Sequence, residues 1–231
     1  HAATVIGLAC DDLIAECQNR LVSLLDCPSD EIEFLDGVFI ARSTNHQFKF
    51  RDIAVRTVDS HGPLKVVHKN EMHTPVYPNG TAICEVEIDP RTGTTTVTRY
   101  STVDDVGRCI NPLIVHGQTH GGIVQGAGQA LFEHCFVDHN SGQPVTGSLM
   151  DYGISRAADF PSFKTEIAEV LSPTNPLGIK AGGEGGTTPA LATIVNAVVD
   201  ALAEFGVEDI AMPLTPQRVW AAIQNSSSSN H

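Results

Sequence analysis

The sequence predicts an α+β fold in which β-hairpins are interspersed with packed helices. Short stretches alternate polar and apolar residues on either side of turn sequences, whereas longer stretches carry apolar residues three or four positions apart, as helices do. This mixture favours an α+β arrangement over a doubly wound parallel sheet. Of the 231 residues, 42% are hydrophobic and 18% are charged, which is typical of an ordinary globular protein.

The charge balance argues against a nucleic-acid partner. The chain has 14 Lys and Arg against 27 Asp and Glu, a formal net charge of -13, whereas phosphate binding requires a basic face. No uninterrupted apolar run approaches the ~20 residues that a bilayer span needs, and the N-terminus lacks the layout of a signal peptide. We therefore expect a cytoplasmic chain with no nucleic-acid partner and no membrane span.

The six cysteines are scattered along the chain without a C-x-x-C pair. This spacing argues against a disulfide framework and against a Cys-ligated zinc or iron–sulfur site within this chain. We expect buried free thiols in a reducing cytosol.

Residues 1–75 are predicted to form an N-terminal helix and hairpin region. Apolar residues recur three or four apart from Val5 to Leu25, and the helix should end near Pro28. Within residues 31–41, Asp36-Gly37 separates two β-rich runs. This dipeptide is a strong hairpin signal because both central positions of the turn require positive φ.

The region 76–225 begins with a second hairpin, in which residues 82–89 and 94–103 flank the turn Pro90–Gly93. A helix over 112–134 follows, with Asn111 as its N-cap. The later elements are strand-like segments at 143–152 and 163–171, a Pro- and Gly-rich loop at 172–186, a helix over 190–205 opened by Thr188-Pro189, a shorter helix from Thr215-Pro216 to Ile223, and a flexible tail at 226–231.

The helix over 112–134 contains an unusual number of glycines. Each glycine in a helix costs about 1 kcal/mol relative to alanine, so a close approach of another backbone or of a ligand is needed to offset the cost. We expect that approach on the face formed by Gly117, Gly121 and Gly128, with Gln118 and Gln125 beside it.

A single carboxylate, Glu184, stands between two Gly-Gly pairs directly before a predicted helix. The glycines let the backbone pass close to a ligand, and a general base needs that reach together with a pKa near the working pH. The positive end of the following helix would instead lower the pKa of the carboxyl group. The alternative is that Glu184 merely caps the helix, and both interpretations stand at this point.

Two other pairs of polar residues are interpreted as structural. His116 and His120 have the i, i+4 spacing of zinc ligands, but a zincin requires Glu directly after the first His and this chain has Gly117 there. Asp104 and Asp105 end a strand, where adjacent side chains face opposite ways. We expect an ion pair or a turn cap from the aspartates and no metal ligand in this chain.

Five ordered stretches resemble the C-terminal part of the molybdenum-binding large subunit of the xanthine dehydrogenase, aldehyde oxidase and carbon monoxide dehydrogenase family. They cover roughly residues 76–224, and toward the N-terminus only "LDGVFIA" and the first helix fit. The stretches are "VDDVGRCINP", "GQTHGGIVQGAGQALFE", "TGSLMDYGISRAADFPSF", "SPTNPLGIKAGGEGG" and "DIAMPLTPQRVWAAI".

This resemblance implies the family's molybdenum-cofactor-binding fold and an enzyme that hydroxylates an aldehyde or N-heterocycle with oxygen from water. The family's base matches Glu184, its pterin-contacting glutamine matches Gln118, and the loop that passes the cofactor matches Lys180, Ala181, Gly182 and Gly183. Many relatives carry Val where this chain has Gly183, which predicts a more flexible loop.

The resemblance also implies partners. Molybdenum-molybdopterin, in the cytosine dinucleotide form, would be shared with an N-terminal half that this chain lacks, and iron–sulfur clusters and FAD would lie on partner subunits or domains. The chain alone should then be inactive. The alternative is a non-catalytic domain for cofactor binding or assembly, in which Glu184 is structural.

Overall fold

The computed structural model describes residues 2–71 and 74–228 and divides the chain into two compact units, His1–Pro75 and Val76–His231. The first unit packs two helices against a small antiparallel sheet with the strand order β1-β2-β3. Its elements are α1 (Ala2–Leu25), β1 (Ile32–Leu35), β2 (Val38–Ala41), β3 (His46–Phe48) and α2 (Phe50–His61).

The predicted helix and hairpin of the first unit are confirmed. Asp36 and Gly37 join β1 to β2 with φ of 48° and 82°. The helix α2 was not predicted from the sequence, and its buried residues are Ile53 and Thr57. A long-range contact holds α2 in place: Arg20, 3% exposed, donates to Thr57 Oγ1 at 3.2 Å.

Among its described residues, the second unit contains a three-stranded sheet, with strand order β4-β5-β6, and three α-helices. The strands β4 and β5 form the predicted hairpin, and β6 pairs with β5 in parallel. The elements are β4 (Asn79–Asp89), β5 (Thr94–Asp105), α3 (Pro112–Leu131), β6 (Lys164–Ile167), α4 (Thr187–Leu202) and α5 (Pro216–Ser228).

The helix α4 forms the centre of the second core. Ile194, Val198 and Leu202, one turn apart, are 0% exposed, and each such side chain contributes roughly 1.5–3 kcal/mol by burial. Among the described residues, the segment Thr187–Phe205 is long and apolar enough to cross a membrane by length and composition. Length and composition alone are weak evidence for a membrane span, because a helix that packs in a protein core, as α4 does, meets the same criterion.

Several predicted boundaries require correction. The strand predicted over 143–152 is wrong: the segment consists of turns and bends, with one isolated bridge between Val137 and Pro144. The strand predicted over 163–171 exists but is confined to Lys164–Ile167.

The helix ends also differ from prediction. The helix α3 ends at Leu131 and not at 134. At this end the carbonyl of Gly128 accepts hydrogen bonds from the amides of Phe132 and Glu133. The helix α4 begins at Thr187 with Gly186 as N-cap, so Pro189 occupies its first turn, where amide groups lack helical partners. The helix α5 runs to Ser228, so residues 226–228 of the predicted tail are helical, and residues 229–231 lie outside the described part.

The glycines of α3 pack only in part on the predicted face: Gly128 is buried, with a Cβ there 2.8 Å from Ser155 Oγ, but the contacts with α4 come from Gly122 and Gly126. A Cβ at Gly122 would lie 2.8 Å from Thr187 N, and one at Gly126 would lie 2.7 Å from the Cβ of Ala190. Gly117 and Gly121 instead face open space, with nothing within 4 Å of a Cβ on either. Close approach to α4 therefore offsets part of the glycine cost, and the surface at Gly117 and Gly121 is left open.

This contrast gives opposite expectations for two alanine substitutions in α3. Gly126→Ala should destabilise the chain by about 1–2 kcal/mol, since overpacking against backbone outweighs the better helix propensity. Gly117→Ala, with no contact to break, should stabilise it by up to about 1 kcal/mol. Urea unfolding of both variants tests this, and a stabilising Gly126→Ala would contradict the observed packing.

Candidate functional site

A cleft of about 360 Å³ lies in the second unit, where the ends of β4 and β5 meet α3 and the loop before α4. Polar groups from four elements converge on it, which is the usual character of a ligand site. The residues that line the cleft include Gly80, Asp104, Thr119, Gly182, Glu184 and Thr188. A larger concavity of about 530 Å³ beside Gly206 is more open, and the carboxylates that line it, Asp200 and Glu208, are exposed.

Glu184 is fixed through its backbone and free at its side chain. Its carbonyl accepts hydrogen bonds from Thr187 N and Thr188 N, both at 3.1 Å. The N-cap of α4 is Gly186, and no side-chain bond caps the helix. Within residues 2–71 and 74–228 the exposed Glu184 carboxylate has no hydrogen-bond or ion-pair partner. The geometry is that of a carboxylate presented from a fixed backbone.

Asp105 anchors the segment that leads into this loop. Its Oδ1 accepts from Gly107 N at 2.9 Å and Val170 N at 3.1 Å, and its Oδ2 forms an ion pair with Lys180 Nζ. Burial raises the pKa of Asp105, but hydrogen bonds from Lys180 and from the two backbone amides outweigh it, so its pKa lies below the ordinary value. Asp105 therefore forms the predicted ion pair and the predicted turn cap together.

The loop residues expected to contact a cofactor differ in their surroundings. The side chain of Lys180 is 11% exposed and is committed to Asp105, while its backbone amide donates to Val106 O at 2.8 Å. Ala181 and Gly183 are exposed. A Cβ at Gly182 would lie 3.2 Å from Val106 Cγ1, whereas one at Gly183 would touch nothing within 4 Å.

Gln118 lies on α3, next to Thr119, which lines the cleft. The helix and the loop meet at this point, because a Cβ at Gly186 would lie 2.3 Å from Thr119 O. Gln118 is exposed between the open glycines Gly117 and Gly121. The structure thus places the chain segments of Gln118 and Glu184 side by side.

One carboxyl group in the cleft was not predicted from the sequence. Asp104, interpreted together with Asp105, faces the opposite way and is 6% exposed. Burial raises the pKa of Asp104, and the hydroxyl of Thr102, 3.2 Å from Oδ1, partly opposes the shift. The alternation of β5, in which Thr102 and Asp104 share a face, could have indicated this burial.

The two histidines of α3 share one hydroxyl group. His116 Nδ1 lies 2.7 Å and His120 Nε2 lies 3.2 Å from Thr165 Oγ1 on β6. Both imidazoles therefore form hydrogen bonds between α3 and the sheet, which agrees with the prediction that this pair is structural.

A solved structure of a molybdenum-containing oxidoreductase has this fold. The Cu,Mo-CO dehydrogenase in its carbon monoxide reduced state superimposes with a TM-score of 0.82 at 26% identity, over 97% of this chain and 29% of that one. Together with the cleft, the fold defines a molybdenum-cofactor-binding domain. More particularly, the molybdopterin cofactor-binding domain family matches residues 2–161, and the chain belongs to that family.

Curated relatives agree with this assignment. Subunit gamma of the 6-hydroxypseudooxynicotine dehydrogenase complex of Paenarthrobacter nicotinovorans is 36% identical over 222 residues, covering 91% of this chain and 28% of the relative. The carbon monoxide dehydrogenase large chain of Hydrogenophaga pseudoflava is 32% identical over 231 residues, covering 96% and 28%. The resemblance stated from the sequence is confirmed, and the chain spans about 28% of the length of these relatives.

Proposed function

We propose that this chain is the C-terminal portion of a molybdenum hydroxylase large subunit, in which it forms one wall of the molybdopterin site and supplies the base, Glu184. The enzyme would oxidise an aldehyde or an N-heterocycle with oxygen derived from water. The observation that carries the proposal is the carboxylate of Glu184, which has no partner among the described residues and lies at the cleft on a backbone that the start of α4 holds in place.

The residues around Glu184 fit a large cofactor. A Cβ at Gly117, Gly121 or Gly183 would meet nothing within 4 Å, so the backbone there is open to close approach. The exposed Gln118 amide and the backbone of Ala181–Gly183 would hold the cofactor, and Lys180 would contribute its backbone only, since Asp105 takes its ammonium group. When bound, the molybdenum cofactor supplies redox chemistry that side chains cannot.

The part assigned to Glu184 is proton transfer. Its carboxylate would accept the proton of a water-derived hydroxyl group beside the substrate, a role that contributes about 10²- to 10⁴-fold to rate. Gly182, Gly183, Gly185 and Gly186 carry no side chains that could stand between this carboxylate and the reacting atoms. The chain thus provides orientation and a base.

The rest of the machinery is assigned to partners. The similar proteins are named as a subunit of a complex and as a large chain, which supports assembly of this chain with the N-terminal half of the subunit and with iron–sulfur and flavin subunits. We infer a cofactor in the cytosine dinucleotide form, a cytoplasmic location and no activity of this chain alone.

A second candidate is a cofactor-binding or assembly domain in which Glu184 is structural. The family match over residues 2–161 includes Gln118, so it supports the cofactor-binding part of this candidate. Both candidates require Gln118 to contact the cofactor, and they differ at Glu184.

Replacement of Gln118 by alanine tests the cofactor contact that both candidates share. In the assembled enzyme, Gln118→Ala should weaken cofactor retention roughly three- to ten-fold, as expected for one lost hydrogen bond of about 0.5–1.5 kcal/mol. Molybdenum per chain after dialysis is the measurement. The control is Gln217→Ala, an exposed glutamine on α5, and equal molybdenum in the two variants would contradict the assignment.

A further inference from the structure

The strand β4 forms one edge of the sheet in the second unit. Within the described residues of that unit it pairs only with β5, so the other side of its 11-residue length carries unpaired backbone groups. In an antiparallel pair, alternate residues direct their N–H and C=O groups away from the partner strand. A long edge of this kind is a template for a further strand, and proteins normally block it.

Only the second half of β4 is blocked. A β-bulge between Glu85 and Val86 interrupts its register, and the carboxylates of Glu85, Glu87 and Asp89 follow one another along this half. A bulge and charged side chains both discourage the addition of a strand. The first half, residues 79–84, contains no bulge, no charged residue and no proline.

The opposite edge of the sheet is protected along its length. The strand β6 has four residues, and two of them, Lys164 and Glu166, form an exposed ion pair with an N–O distance of 3.4 Å. Shortness and charge are common ways of protecting an edge strand. Within the described residues of the second unit, the open edge of the sheet is therefore residues 79–84.

The outer face of the sheet is apolar beside this open edge. Ile83 is 64% exposed and Val103 is 43% exposed, and both line a concavity of about 230 Å³ together with Thr81. Residues that face the other way, such as Ala82, pack against the core around α4. An open strand edge next to exposed apolar side chains suits strand addition, in which backbone hydrogen bonds give affinity and side-chain pockets give specificity.

We propose that the N-terminal portion of the subunit adds a strand to β4 along residues 79–84 and covers Ile83 and Val103 on the outer face. This inference rests on the proposed function, which places this chain in a larger subunit. The chain spans about 28% of the length of its relatives, so most of such a subunit lies outside it and is the source of the strand. A second copy of this chain is disfavoured, because a formal net charge of -13 makes two copies repel each other.

The position of the open edge connects it to the candidate site. Pro78, Asn79 and Gly80 line the same cleft as Glu184. A strand that pairs with residues 79–84 would therefore reach the rim of this cleft. Backbone hydrogen bonds to β4 would then hold the N-terminal portion at the proposed cofactor site.

The test combines hydrogen exchange and cross-linking in the assembled enzyme. With an added strand, nearly all amides of residues 79–84 should be protected, whereas an open edge leaves about half of them to exchange rapidly. A photo-reactive phenylalanine analogue in place of Ile83 identifies the occupant by mass spectrometry. It should cross-link to a peptide of the N-terminal portion.

A lysine at position 83 tests the covering of the outer face. Ile83→Lys places a charge where the added strand would bury it, so exchange at residues 79–84 should become about tenfold faster. Ile83 is largely exposed in this chain, so the change disturbs little of the second unit's own packing. The matched control is Thr96→Lys, which introduces the same residue at an exposed position of β5 opposite Glu87, in the blocked half. The control should leave the exchange unchanged.

The outcomes distinguish this inference from the proposed function. Rapid exchange at residues 79–84 in an enzyme that contains the N-terminal portion and molybdenum overturns the inference alone. A cross-link from position 83 to a second copy, to residues 2–71 of this chain or to an iron–sulfur or flavin subunit also overturns it, as does equal exchange in Ile83→Lys and Thr96→Lys. A complex without the N-terminal portion overturns the proposed function and this inference with it.

Discussion

Glu184→Gln in the assembled enzyme should lower kcat by about 10²- to 10⁴-fold while the cofactor stays bound. The amide keeps the size of the side chain but cannot accept a proton at working pH. The Glu184 carboxylate has no partner among the described residues and its backbone is held by Thr187 and Thr188, so the substitution breaks no contact. The loss should therefore fall on turnover and not on folding.

Steady-state kinetics and molybdenum content, measured on the same preparation, provide the check. Glu204→Gln is the matched control, since Glu204 is an exposed carboxylate in the turn that follows α4. Near-normal turnover in Glu184→Gln would support the non-catalytic alternative, and equal losses in both variants would indicate a nonspecific effect of charge.

Asp105→Asn should cost about 3–5 kcal/mol of stability, because it leaves the ammonium of Lys180 without a partner at a site where both side chains are 11% exposed. The change also removes a charged acceptor from the amides of Gly107 and Val170. Urea unfolding measures the loss, and hydrogen exchange at the Lys180 amide, which donates to Val106 O, reports on the loop itself.

The pH dependence of this loss has a definite sign. The pKa of Asp105 is lowered in the folded chain from an ordinary value of 3.8, so the stabilisation is complete above that pH and disappears as the pH falls toward the native pKa. The difference in the free energy of unfolding between wild type and Asp105→Asn should therefore shrink over that acid range.

Arg99→Met is the control, because it removes an exposed ion pair with Glu85. It should lower the free energy of unfolding by at most about 1 kcal/mol. An equally small loss in Asp105→Asn would contradict the stabilising role of the Asp105–Lys180 pair.

The parts of the fold that sequence predicted well depend on local chemistry. The Asp36-Gly37 turn and the Asn111 cap, whose side chain accepts from Ile114 N, are determined by the residues themselves. The helix α2 was missed because it depends on a contact with Arg20, 37 positions away from Thr57 in sequence. The strand predicted over 143–152 failed because its apolar residues are not buried: Met150 is 93% exposed.

At the site, too, features that depend on neighbouring residues were predictable and features that depend on distant contacts were not. Glu184 is recognisable because glycines isolate it in the sequence. The burial of Asp104 depends on β4 and on the loop at Gly185, which lie far away along the chain. The packing face of α3 was mispredicted at Gly117 and Gly121, since only the position of α4 shows that Gly122 and Gly126 are the glycines that contact it.

Elemental mass spectrometry of complexes purified from the source cell through a tag on this chain would show whether the chain forms part of a molybdopterin site. We expect about one molybdenum atom per chain, together with a co-purifying N-terminal portion of the subunit. A complex that contains the N-terminal portion but no molybdenum would contradict it.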